Sequence, residues 1–259
     1  MKTFLFTCSI AFYCFTAFSQ TLTQNINNRL IQKDEAKSKT VSLSLKDHDF
    51  SPLFFKTENS YVYGFIGEHY QRLRIKFITV ARDTTNPAIY QVYGKSMVKN
   101  NICEFKGTMN ISSIRKYKTI DLGVDSSYKN KGLEGQYVVS GTYVFKENET
   151  QAKSGVFTGN FQSNFYLDKN SKIHYDDISV ISDGFTNNQF VGKWNSYKGT
   201  LTEQCNWGDY RIPNSGDLDG GAGEFSPIAK YAEYGWQTVN AKYYHNKKNQ
   251  AIEYAKWWK

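Results

Sequence analysis

The chain reads as an all-β protein, a curled or closed antiparallel β-barrel of roughly eight to ten strands. Long stretches alternate apolar and polar residues, the pattern of half-buried strands. Four of them share a local motif, apolar-x-Gly-x-apolar: Phe105–Gly107–Met109, Val139–Gly141–Tyr143, Phe157–Gly159–Phe161 and Phe190–Gly192–Trp194, with a weaker copy at Val92–Gly94–Ser96. Alternation places each glycine on the inward face, where it lets a sheet bend tightly around its own core. Aromatic residues make up 16% of the chain and its four prolines avoid these stretches, which suits a sheet whose core is built from large flat side chains. A β-sandwich is the alternative arrangement of the same strands.

Residues 1–19 have the layout of a secretory signal peptide: Lys2, then an uncharged and mostly apolar run, then Ala17-Phe18-Ser19 before a cut at Gln20. The run is short for a membrane span and no basic cluster follows it. Cys8 and Cys14 fall in the part to be removed. The expected location is therefore secreted or periplasmic, with no membrane span after cleavage.

Residues 20–56 are polar and irregular, with a short helix expected at 23–33. The barrel is assigned to 57–210. It opens with Leu73, Ile75 and Phe77 on one face and Arg72, Arg74 and Lys76 on the other, the charged face expected to meet solvent. Further strands are expected at 88–98, 101–112, 135–146, 154–167, 172–181, 188–197 and 199–210, separated by Asp-, Asn-, Gly- and Lys-rich loops. Charges on one face and aromatic rings on the other are the reverse of a membrane-spanning barrel, whose apolar side chains point outward. Residues 211–259 form a loop-rich extension expected to pack on the barrel, with a short helix at 249–258.

Phe190-Val191-Gly192-Lys193-Trp194 resembles the Gly-x-Trp signature of calycins, the lipocalin and avidin class of up-and-down barrels. In that class the motif lies on the first strand and its Trp closes one barrel end; here it falls in the last third of the chain. The resemblance covers about five residues, implies a barrel-like sheet and carries over no ligand site.

The 32 Lys and Arg outnumber the 24 Asp and Glu, but no basic run is long enough for a nucleic-acid arm, so no nucleic-acid partner is expected. Cys103 and Cys205 both occupy inward positions. A disulfide between them and two separate buried thiols are both open readings. The strongest departure from alternation is 206–227, NWGDYRIPNSGDLDGGAGEFSP, a connection of the length that usually carries function or disorder. Within and beyond it, Trp207, Asp209, Tyr210, Arg211 and Trp236 form a candidate ligand site of aromatic platforms and polar groups, the chemistry of carbohydrate or small-ligand recognition. Asp217, Asp219 and Glu224 are candidate calcium ligands around the Gly220 turn. Ser226 replaces the closing Glu of an EF-hand, so the motif is incomplete.

His48, His69, His174 and His245 show no ligand spacing, and no nucleophile elbow is present. His174 and Asp176 share a strand face and are the nearest approach to an acid–base pair. The expected function is a secreted or periplasmic non-catalytic β-barrel module that binds a glycan, lipid or other small ligand. The alternatives are a hydrolase using the carboxylates of the 209–224 loop, and a structural or interaction protein with a solidly filled barrel. No cofactor beyond calcium is implied.

Overall fold

The computed structural model describes residues 37–240 and 246–259. The expected signal peptide at 1–19, the helix expected at 23–33 and His245 lie outside the described residues. The described residues form ten strands: β1 Ser38–Thr40, β2 Val62–Ile66, β3 Gln71–Arg82, β4 Ile89–Val98, β5 Asn101–Tyr117, β6 Leu133–Glu147, β7 Gly155–Asp168, β8 Ile173–Tyr175, β9 Asn187–Ser196 and β10 Thr202–Asp209. Eight of them form a closed antiparallel ring in chain order, β2-β3-β4-β5-β6-β7-β9-β10, with β10 returning to β2. The all-β, barrel-like expectation is met. β1 and β8 extend the sheet where neighbours stop short: β1 takes the flank of β5 beyond the reach of β4, and β8 takes the flank of β7 beyond the reach of β9.

Alternation explains the core. Phe77, Phe105, Phe145, Phe157, Phe161, Phe165, Phe190 and Trp207 all point into the ring and are buried. Their rings tile the interior, Trp207 lying flat on Phe190 at 4.8 Å and edge-on to Phe157 at 6.1 Å. Gly159 and Gly192 are direct partners across β7 and β9. A Cβ on either would strike the backbone of the opposite strand and the Tyr143 hydroxyl, which occupies the room that the paired glycines leave.

The 38–56 segment departs from its polar appearance. Residues 51–55 form a short 3-10 turn, and Phe50 and Leu53 are buried in the main core. Phe54 packs edge-on to Phe77 and Phe161, so this turn stoppers one end of the ring. Four hydrogen bonds across the fold hold it there: the Tyr90 hydroxyl accepts from Phe50 N–H, and the Arg82 guanidinium donates to the carbonyls of Leu45, Lys46 and His48. The other surprise is β2, whose Gly64 and short length hide its alternation. The strand expected at 172–181 shrinks to Ile173–Tyr175 because the chain then turns to bury Ile178.

The outer face of the β2–β10 seam is also buried. Tyr63 and Phe65 of β2 join Ile212, Leu218, Phe225, Trp236 and Val239 of the C-terminal extension in a second apolar cluster. The charged face of β3 is the platform for this extension and does not meet solvent as expected. Arg72 makes a bidentate pair with Glu253, at 2.7 and 2.6 Å, and Arg74 reaches the same carboxylate at 3.2 Å. Glu253 closes the terminal helix Lys247–Glu253, which begins two residues before and ends five residues before the 249–258 expected. Burial alone would raise the Glu253 carboxyl, but Arg72, with Arg74 and Thr238, holds it at about 2.

Two outcomes follow. Replacing Gly159 with Val should lower the denaturation midpoint by the equivalent of about 1–3 kcal/mol at unchanged slope, the usual range for overpacking a core. Glu253→Ala strands two guanidinium groups and should cost about 3–5 kcal/mol, as removing one partner of a buried ion pair does; urea melts of both variants check this.

Candidate functional site

The candidate ligand residues are placed apart. Strand β10 has two faces, and Cys205, Trp207 and Asp209 point into the ring while Asn206 faces the extension, where its Nδ2 donates to Pro213 O at 2.9 Å. Trp207 is therefore a core residue, 2% exposed, and not a surface platform. Trp236 lies in the second cluster, its Nε1 donating to Tyr70 O at 2.7 Å. Tyr210 stacks on Tyr61 at 5.5 Å. Arg211 pairs with Asp219 and donates to the carbonyls of Gly221, Ala222 and Gly223, so it organises the glycine-rich loop from within.

Two of the three candidate calcium ligands, Asp217 and Asp219, are likewise committed elsewhere, and Glu224 is exposed. Asp219 accepts from Gly221 N and Ser226 N besides Arg211. Asp217 is an exposed partner of Lys230 and Tyr231. Among the described residues no cluster of three metal-ligating side chains exists. Cys103 and Cys205 are free, buried thiols, so the bridge left open by the sequence is absent; burial raises both, Cys103 to about 11. His174 pairs with Asp168 at 2.8 Å and stacks on Tyr166. Its expected partner Asp176 instead accepts from Gln136.

Among the candidate residues, Asp209 sits in a polar site inside the ring. Its Oδ2 accepts from the hydroxyls of Thr57 at 2.8 Å and Tyr175 at 2.9 Å and from Asn188 Nδ2 at 2.7 Å. A β-bulge makes this possible. The β9–β10 register shifts between Trp207 and Asp209, and Asn188 takes φ 43°, a left-handed conformation that Asn adopts more readily than most residues. The kink turns Asn188 inward, the re-aiming that bulges provide. Burial pushes the Asp209 carboxyl from its ordinary 3.8 up to about 7, against the three hydrogen bonds and Lys76, which lower it.

Beside Asp209 lies a cavity of about 30 Å³, lined also by Asn59, Lys76, Asn188 and Trp207. Asn188 Oδ1 and Trp207 Nε1, both buried, have no hydrogen-bond partner. This space holds about one water molecule, and the two residues that carry this unpaired acceptor and donor both line it. A second buried carboxyl, Glu147, accepts from Ser96, Gly155 N and Trp194 Nε1. Burial raises it too. The tryptophan of the calycin-like motif thus anchors on a carboxyl, from β9 and not from the first strand.

The roomier feature was not legible in the sequence. A surface cleft of about 750 Å³ opens where the β3 and β4 ends meet the terminal helix. Arg72, Arg74, Lys99 and Lys248 supply cations, Glu233 one acid, and Met97, Ile252 and Trp257 apolar walls. Its residues come from segments far apart in the chain, and only the fold assembles them.

No protein-family model, no curated protein and no solved structure matches this chain. No helix of the described residues is long and apolar enough to cross a membrane. The arrangement around Asp209 can hold or release a proton behind the Phe54 stopper. The cleft is open at the surface and has the volume of a small-molecule pocket.

Asp209 gives a pH signature. Its folded pKa lies above that of an unfolded aspartate, so it releases its proton on unfolding. Its contribution to stability is fully present at low pH and declines as pH rises from 3.8 to about 7. In Asp209→Asn, with the three donors still served by the amide oxygen, this decline should vanish, measured as the slope of melting temperature against pH relative to the native chain.

Proposed function

We propose that this chain is an exported, non-catalytic β-barrel module that holds its ligand on the outside of the ring. The observation that carries this reading is the filled interior. Aromatic rings from seven of the eight ring strands and from the 51–55 turn occupy it, and the cavity beside Asp209 is about 30 Å³. A small-molecule site needs on the order of 300–1,000 Å³, so the interior does not suit a lipid or a sugar, and the external cleft does.

The non-catalytic part rests on how the carboxyls are used. A hydrolase reading needs two carboxyls, or a nucleophile and a base, facing a shared substrate space. Asp217 and Asp219 are engaged with Lys230 and Arg211, and Asp209 lies sealed beneath the ring wall. The filled barrel also favours the interaction-protein alternative over a carrier that swallows its cargo. Export rests on the Lys2, apolar run and Ala17-Phe18-Ser19 pattern.

Two measurements test the proposal. Material collected outside the cytoplasm should have the intact mass of a chain beginning at Gln20; a mass that still includes Met1 would refute export. Xenon or benzene, probes small enough for apolar voids, should leave the chemical shifts of Phe145, Phe157 and Trp207 unchanged, and a saturable shift there would show an interior site instead.

A further inference from the structure

We propose that the cleft between the β3–β4 end and the terminal helix binds a small amphiphilic oxyanion, a carboxylate or phosphate carried on an apolar body. This rests on the external-ligand reading above and names the chemistry of its site.

Charge is the first argument. Glu253 faces two guanidinium groups, Arg72 bidentate and Arg74 at 3.2 Å, so one carboxylate serves two cations. Arg72 takes the larger share, with two short contacts and a further bond to Gly235 O. Arg74 is left with a bond to Ile252 O at 3.3 Å and the longer reach to Glu253. Its side chain is only 13% exposed. Burial and the repulsion of Arg72 pull its guanidinium down to about 10, with Glu253 opposing the shift. Arg74 is thus a half-compensated cation in a partly dry site, a situation that an oxyanion relieves. A guanidinium presents five donors in a fixed fork, and most of those on Arg74 are uncommitted. Lys99 and Lys248 add charge at the rim, against Glu233 alone.

Shape is the second argument. The cleft volume of about 750 Å³ lies within the range of ligand pockets. Met97, Ile252 and Trp257 give it apolar walls, and the exposed Ile252 side chain stands beside the carbonyl that Arg74 engages. Cations at one part of an apolar trough select a molecule with one charged end. A free inorganic anion would fill the cationic part alone and leave the apolar walls wet; a neutral apolar molecule would leave Arg74 as it is.

The test uses the mature chain and four probes: decanoate and decyl phosphate below their micellar concentrations, decanol, and inorganic phosphate. Calorimetry should give one site for both amphiphilic anions. Decanol and inorganic phosphate should each bind at least about tenfold more weakly, since a charge-assisted hydrogen-bonded pair contributes on the order of that ratio. Arg74→Gln should lower the affinity of decanoate and decyl phosphate about tenfold or more, as should Lys99→Gln with Lys248→Gln, whose exposed positions leave folding untouched. Decanol binding as tightly as decanoate, or unchanged affinity in both variants, would overturn the proposal. Brominated decanoate then locates the site through tryptophan quenching. Quenching lost in Trp257→Phe supports the cleft. Quenching that survives there and reports on Trp194 or Trp207 would place the ligand inside the ring and refute the external-ligand reading as well. No binding by any probe would reject the cleft proposal and leave the filled-interior reading standing.

Discussion

The seam between β2 and β10 is the contact on which the other parts of the molecule lean. Of the other junctions of the ring, β7–β9 passes over β8 and the rest join consecutive strands, several of them as simple hairpins. The seam joins residues 62–66 to residues 205–209 across most of the sequence. It is short, and it is reinforced from both sides. Inside, Trp207 lies against Phe190 and Tyr143. Outside, Tyr63 stacks on Phe225, and Phe65 meets Tyr70. A strand buried on both faces cannot alternate apolar and polar residues, which is why the texture of the sequence breaks at this point.

The Arg72–Glu253 pair belongs to the same reinforcement. It fastens the terminal helix to β3, next to β2, so the extension spans the closure like a strap. Trp236 lies under the Arg72 guanidinium at 5.3 Å while its indole N–H caps Tyr70 O. The ion pair is buried but not isolated: Thr238 also donates to Glu253, and Gly235 O accepts from Arg72. Such satisfaction is the condition under which a buried pair holds a specific geometry without leaving a charge stranded.

The ring strands β3 to β7, β9 and β10 were legible because their alternation is regular, and the repeated glycines correctly marked close approaches of the sheet, Gly159 against Gly192 above all. Short β2 was hidden by Gly64 and by having both faces apolar. The stopper was hidden because Phe50, Leu53 and Phe54 stand in a polar surround with no period of their own. Among the site residues, Asp209 was singled out for its place in an irregular segment, yet its partners Thr57, Tyr175 and Asn188 come from three distant places and no spacing links them. Arg72 and Arg74 looked like a solvated face because alternation tells which residues share a face, not what covers it. The cleft was invisible for the same reason.

The position of the seam also sets the order in which the chain can assemble. Hairpins β3–β4, β4–β5, β6–β7 and β9–β10 pair residues close in sequence and close only short loops, whereas β2 waits for β10. Contacts between distant segments are the slow ones, since the entropy of closing the intervening loop is lost before they repay it. Until β10 arrives, β2 and β9 present open edges with unpaired backbone groups and aromatic faces turned to water, the condition in which sheets join edge to edge with other chains. How much of the chain reaches the closed state then depends on how long those two edges stay unpaired, a property of the distance along the sequence from β2 to β10 and not of any contact in the finished ring.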